Sequence, residues 1–340
     1  LGDVYKRQGF ILSNTTWTKA NSPYFLTGDV IVPDSVTLTI EPGAIIRFDD
    51  SDDMSSGEDQ NRIEIRVSGS LKANGNATDS VYFISNAQNP SAGDWYGIVS
   101  YNATSTQQPS SYTSNWDKVG AVDISYARVA HYIKGVSARD YASASRNGIN
   151  YGWDNSLSPD SIKIHNSVFQ AGGDAYFCSD YWSFRPLEFV NNRVHNAGLY
   201  SYGKSSYKKV ENNNFKSNYY SGGSGMNPFR IHVSGDQRGS NTPHCMLLNF
   251  KNNNIDFGYV EINASSEVGS VAQKSATIDI SGNTIHRNNN AKIYVRYYNY
   301  GLSLDSTNIK VSNNTIVGVN VSGQGLEPVS YTHLTLPTTD

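Results

Sequence analysis

Apolar and polar residues alternate with a period of two through many short runs of this chain, and asparagine recurs just before an apolar position. The segments "FVNNRVHNAG" from Phe189, "VENNNFKSN" from Val210, "FKNNNIDFG" from Phe250, "ISGNTIHRN" from Ile280 and "VSNNTIVGV" from Val311 share this shape. Alignment puts Ala127, Asn166, Asn192, Asn213, Asn253, Asn283 and Asn314 in one column. Two places on stand Val129, Val168, Val194, Phe215, Ile255, Ile285 and Ile316, all apolar. The spacings are 39, 26, 21, 40, 30 and 31 residues, so a unit of about twenty residues carries insertions of varying size. Fixed strands with variable loops are the mark of a solenoid.

Asparagine suits a sharp corner between two strands, because its short amide bonds locally and tolerates the left-handed region. Stacked rungs about 4.8 Å apart would also let such amides bond to one another up the column. A further strand recurs after each corner: "DAYFCS", "GLYSYG", "FRIHVSG", "YVEINAS", "KIYVRYYNYG" and "VNVSG". No amphipathic helix of useful length is visible. The expected fold is all-β, a right-handed parallel β-helix solenoid of about ten rungs with variable loop insertions.

Composition agrees with that class. Charged residues make up only 17%, there are 23 tyrosines, and the net charge is −3. A weakly acidic chain without a Lys/Arg run argues against nucleic acid, and no apolar run is long enough to span a membrane. Cys178 and Cys245 are the only cysteines, too few for a disulfide framework, and are read as two lone thiols. The ends "LGDVYKRQ" and "VSYTHLTLPTTD" resemble translated sequencing adapters. The expected organisation is therefore an extraneous 1–8, an N-terminal cap with opening rungs over 9–60, a β-helix over 61–327, and an extraneous 328–340. Further domains of the same chain are expected to be missing.

The stretches "SPYFLTGDVIVPDSVTLTIEPGAIIRF" (22–48), "IRVSGSLKANGNATDSVYFIS" (65–85) and "GDWYGIV" (93–99) carry a family resemblance. They resemble the opening rungs of bacterial secreted or surface β-helix proteins of the pectin-lyase-like group. That resemblance implies the fold and a secreted or cell-surface location. It also implies a site on the outer face of one sheet, in a groove walled by insertions such as 101–120, 138–160 and 217–245. It does not name a reaction, since the fold hosts lyases, hydrolases, epimerases, tailspikes and adhesins.

Alternation within the recurring strand leaves Tyr200, Tyr202, Arg230, His232, Glu261, Tyr294 and Arg296 outward. Aromatic faces stack on sugar rings and Arg forks to carboxylates, so this strip suits a polysaccharide or cell-surface glycan. For catalysis, His232, Arg230, Glu261 and Arg296 are the candidates, with His232 or a tyrosine as base and Arg296 or Arg230 neutralising a uronate. The same strip also reads as an ordinary strand face stabilised by cross-rung pairs. A second outward column, Ala130, Phe169, His195, Lys216, Asp256, His286 and Val317, reads as a solvated face of mixed charge. The loop "RFDDSDDMSSGEDQNR" offers Asp49, Asp50, Asp52, Asp53, Glu58 and Asp59 as hard-oxygen ligands for Ca²⁺; otherwise no cofactor is expected. Three functions stay open: a scaffold binding polysaccharide or another surface along one sheet face, a polysaccharide lyase or glycoside hydrolase, and a structural stalk or adhesin segment.

Overall fold

The computed structural model describes residues 5–100, 120–139, 162–170, 172, 176–181, 187–195, 198–203, 207–216, 230–236, 245–256, 259–265, 275–286, 306–317 and 329–331. All regular structure among them is β-strand, and no helix there is long and apolar enough to cross a membrane. The strands stack into three parallel ladders. The first has ten strands, from Thr15–Trp17 and Thr37–Ile40 to Ser306–Ser312, one per coil and matching the expected number of rungs. The second runs from Ile45–Phe48 to Asn314–Val317, and the third from Glu64–Val67 to Tyr259–Ser265. Tyr24–Val32 joins the second and third ladders: its start pairs with Ile45–Phe48 and its end with Glu64–Val67.

Period-two alternation fills the interior. Along the first ladder the column Ile40, Ala73, Ile124, Ile164, Phe189, Val210, Phe250 and Ile280 is buried throughout. The neighbouring column, Leu38 to Ile278, is apolar except for Lys208, which is also fully buried. A spine of rings runs up the lumen. Phe48 stacks on Trp95 at 3.8 Å, Trp95 meets Tyr132 edge-on, and Tyr132, Phe169, Phe189 and Phe215 continue the series. Such aromatic contacts add to the area each ring buries.

The corner between first and second ladders uses two residues for two jobs. Asn166, Asn191, Asn212, Asn252 and Asn313 have φ between 52° and 58°, and Gly282 takes the same place at 69°. These are the residues that turn the chain. The next residues, Asn192, Asn213, Asn253, Asn283 and Asn314, are buried and form a ladder of amides. Each Nδ2 of Asn192, Asn213, Asn253 and Asn283 donates to the following Asn Oδ1 at 2.8–3.2 Å and to a backbone carbonyl of the preceding coil. Each of those Oδ1 atoms from Asn213 to Asn314 also accepts the main-chain N–H of the Asn below it.

This corrects the sequence alignment at one coil. The column residue there is Ser167, not Asn166, and the inward apolar residue is Phe169, not Val168. Ser167 Oγ accepts the Ala127 N–H, and the Ser167 N–H donates to Asn192 Oδ1, so a hydroxyl starts the amide ladder. Gln170 therefore takes the outward place assigned to Phe169, which is fully buried.

At the first edge, Trp17 is buried and stacks on Tyr24 at 4.9 Å. Tyr5–Phe10 pairs in parallel with Tyr24–Val32, so part of the 1–8 stretch forms an edge strand. Val329–Tyr331 pairs antiparallel with Asn314–Val317 at the other end. Cys178 lies on the third ladder and Cys245 on the first.

Candidate functional site

The third ladder gathers the candidate strip. Strand register places Val99, Ser137, Ser179, Tyr200, His232 and Glu261 in one column on successive rungs. Leu199, the neighbour of Tyr200, is buried, and Ile231 and Val260 follow it in the alternate register column. Two residues further along the strands, Arg139, Tyr181, Tyr202, Ser234 and Asn263 form a parallel column. Arg230 stands opposite Tyr259, two places before the His232–Glu261 pair. Tyr294 and Arg296 lie outside the described residues, as do most of the insertions 101–120, 138–160 and 217–245.

The first ladder offers a different outer face. Lys72, Asp123, Lys163, Glu188, Lys209, Asn249, Asp279 and Lys310 follow one another in register, and the charged members alternate in sign. Neighbours add to the pairing: Lys251 Nζ lies 3.6 Å from Glu211 and 3.7 Å from Asp279, and His165 Nε2 lies 3.2 Å from Glu188. Tyr207 donates its hydroxyl to Glu188 at 3.1 Å, and burial followed by that carboxylate pushes the phenol up to about 12. Charges matched this way stabilise rung against rung and leave little net field for a ligand.

On the second ladder, His195, Lys216, Asp256, His286 and Val317 stand in consecutive register. His195 and His286 are three rungs apart, too far to share a metal ion. Burial, then Lys216 and Arg193, holds the His195 imidazole below its ordinary range.

The candidate Ca²⁺ residues do not converge. Asp49 accepts from Asn86 Nδ2, Asp52 from the Met54 and Ser56 amides, and Asp59 from the Asn61 amide and Arg62. Glu58 accepts the Tyr96 hydroxyl at 2.7 Å. Asp50 and Asp53 complete the six, and the Asp53 amide binds the Thr27 carbonyl. Among the described residues no three His, Cys, Asp or Glu side chains are grouped to hold a metal ion.

Beneath that loop lies a cluster that sequence reasoning missed. Asp29, Glu64 and Arg66 are all buried within opening strands of the third ladder. Asp29 Oδ1 accepts the Glu64 amide at 2.8 Å, its Oδ2 accepts Ser56 Oγ at 2.6 Å, and Arg66 Nη1 lies 3.9 Å away. Glu64 Oε1 accepts the amides of Glu58 and Asp59. Burial pushes Asp29 up to about 6; burial and then the Asp29 charge push Glu64 up to about 9. The available signal was charge inside otherwise apolar strands, "FLTGDVIV" and "IEIRV". Arg66 shares the register column that continues through Val99 to His232.

Three parallel ladders wound about one lumen define a parallel β-helix. Residues 9–126 match the family model described as a pectate-lyase-like beta helix domain, and the coils after residue 126 continue the same stacking. No curated protein and no solved structure matches the chain.

Proposed function

We propose that this protein is a secreted or cell-surface β-helix that binds polysaccharide along the outer face of its third ladder. The observation that carries the reading is the register that sets Tyr200, His232 and Glu261 on successive rungs, flanked by the Tyr181–Tyr202 column and Arg230. Tyrosine rings stack on sugars, and polar residues repeating at each rung, about 4.8 Å apart, suit a polymer that repeats along its own axis. The charge-matched first ladder supports the choice of face by exclusion.

A second reading is catalytic, and the direct opposition of His232 and Glu261 favours it. In a lyase, His232 would take the proton α to a uronate carboxylate that Arg230 or Arg296 neutralises, and the electron pair would form a C=C bond as the β C–O glycosidic bond breaks and its oxygen leaves. In a hydrolase, Glu261 would protonate the leaving oxygen.

The deciding experiment incubates the whole chain with plant, algal and host polysaccharides, reading depletion from solution and product masses together. Binding without products, weakened by Tyr200→Ala and His232→Ala, is the expected result. Products lacking one water would establish a lyase, and products gaining one a hydrolase. Neither binding nor products from folded protein would overturn both readings in favour of a stalk.

A further inference from the structure

We infer that the loop from Asp52 to Asp59 is a flap latched onto a buried carboxylic acid pair, Asp29 and Glu64, and that loss of the pair's retained proton releases it. This device is independent of what the third ladder binds, although it sits at the N-terminal end of that face.

The latch is made of loop donors aimed at two carboxyls. Ser56 Oγ donates to Asp29 at 2.6 Å, and the Glu58 and Asp59 amides donate to Glu64 Oε1 at 2.7 and 2.8 Å. Gly57 lies against both acids. A Cβ there would stand 2.7 Å from Glu64 Oε2 and 2.9 Å from Asp29 Oδ2, and its φ is +85°. Glu64 Oε2 is buried and accepts no hydrogen bond from the described residues. The other end of the flap closes on itself through Asp52, which accepts the Met54 and Ser56 amides.

Burial favours proton retention. Among the described residues, Arg66 from the third ladder and Asp52, Glu58 and Asp59 from the flap face the pair, and the Tyr96 hydroxyl donates to Glu58. Asp59 is itself paired with Arg62. Burial, and then the Asp29 charge, outweigh the attraction of the Arg66 guanidinium, so Glu64 holds its proton. The Glu58 and Asp59 amides favour its ionised form, but burial outweighs them. Ionising Glu64 would leave a buried charge beside Asp29. Opening the flap hydrates that charge at the loss of only a few hydrogen bonds.

The test is hydrogen–deuterium exchange of the whole chain from about pH 5 to about pH 9, corrected for intrinsic exchange. In the wild type, protection across residues 52–59 should fall by about tenfold or more. The amides of Asn192 and Asn213, bonded in the buried ladder, should not change. Glu64→Gln keeps the acceptor oxygen without the charge and should hold the flap closed throughout. Ser56→Ala should lower protection at every pH yet retain the fall, and it serves if Glu64→Gln does not fold. Constant protection in the wild type, a Glu64→Gln flap that opens like the wild type, or a Ser56→Ala flap as protected as the wild type would overturn the latch.

Discussion

The amide of Asn213 donates to Asn253 Oδ1 at 3.0 Å and to the Phe189 carbonyl at 2.8 Å, so one buried side chain ties three successive coils. Its own Oδ1 accepts the Asn192 amide N–H and Nδ2. Asn213→Ala should therefore cost about 3 kcal/mol, since it strands buried donors on Asn192 and an acceptor on Phe189. Asn252→Gly, one residue before the ladder, should change stability by less than about 0.5 kcal/mol. Its φ of 53° suits glycine, and Gly282 already holds the equivalent place. Urea midpoints of the two variants check the contrast.

Gly57→Ala should destabilise the chain by about 2 kcal/mol or more. The methyl group would meet two carboxyl oxygens closer than van der Waals contact, in a left-handed conformation that disfavours any Cβ. Thermal unfolding of the variant at a single pH measures it.

The buried acid pair makes stability fall toward alkaline pH. Both folded pKa values lie above their unfolded values, so the folded state holds protons more tightly. The contribution is complete below about pH 4 and is lost as pH rises through about 6 for Asp29 and about 9 for Glu64. Urea midpoints across this window should decline in the wild type and decline less in Glu64→Gln.

Reversing one charge in the alternating column should be felt through salt. Asp279→Lys would put three lysines together, because Asp279 lies within 4.0 Å of both Lys251 and Lys310. The expected loss is about 1 kcal/mol at low ionic strength, shrinking as salt screens the repulsion. Unfolding at two salt concentrations reads both values.

Trp95→Ala should remove about 3–5 kcal/mol. The indole stacks on Phe48, meets Tyr132 edge-on and donates its Nε1–H to the Ala130 carbonyl at 2.8 Å. Loss of cooperative unfolding in the opening coils would be the visible result.

Much of this was legible in sequence because a parallel coil repeats its local chemistry. Leu199, Ile231 and Val260 alternate with Tyr200, His232 and Glu261, and counting by twos is enough to align them. The alignment slipped at Asn166 because Asn166 and Ser167 are both short and polar. Only the neighbouring coil's hydrogen bonds distinguish the residue that turns from the residue that is buried. The carboxylates of 49–62 likewise take partners that their order along the chain does not give. A run of carboxylates in sequence does not say where each oxygen points, and here they bond to separate donors.

The sequence by itself determined a stack of short parallel strands, with asparagine at the corner and apolar residues two places on, because backbone alternation is a local property. Tertiary structure alone decided which asparagine turns and which is buried, because that depends on the coil above. It alone also brought Asp29, Ser56 and Glu64 together, since residues up to 35 positions apart meet only when one coil closes on the next. Burial then shifts the protonation of that cluster, and no reading of a single strand contains the low-dielectric surroundings that cause it.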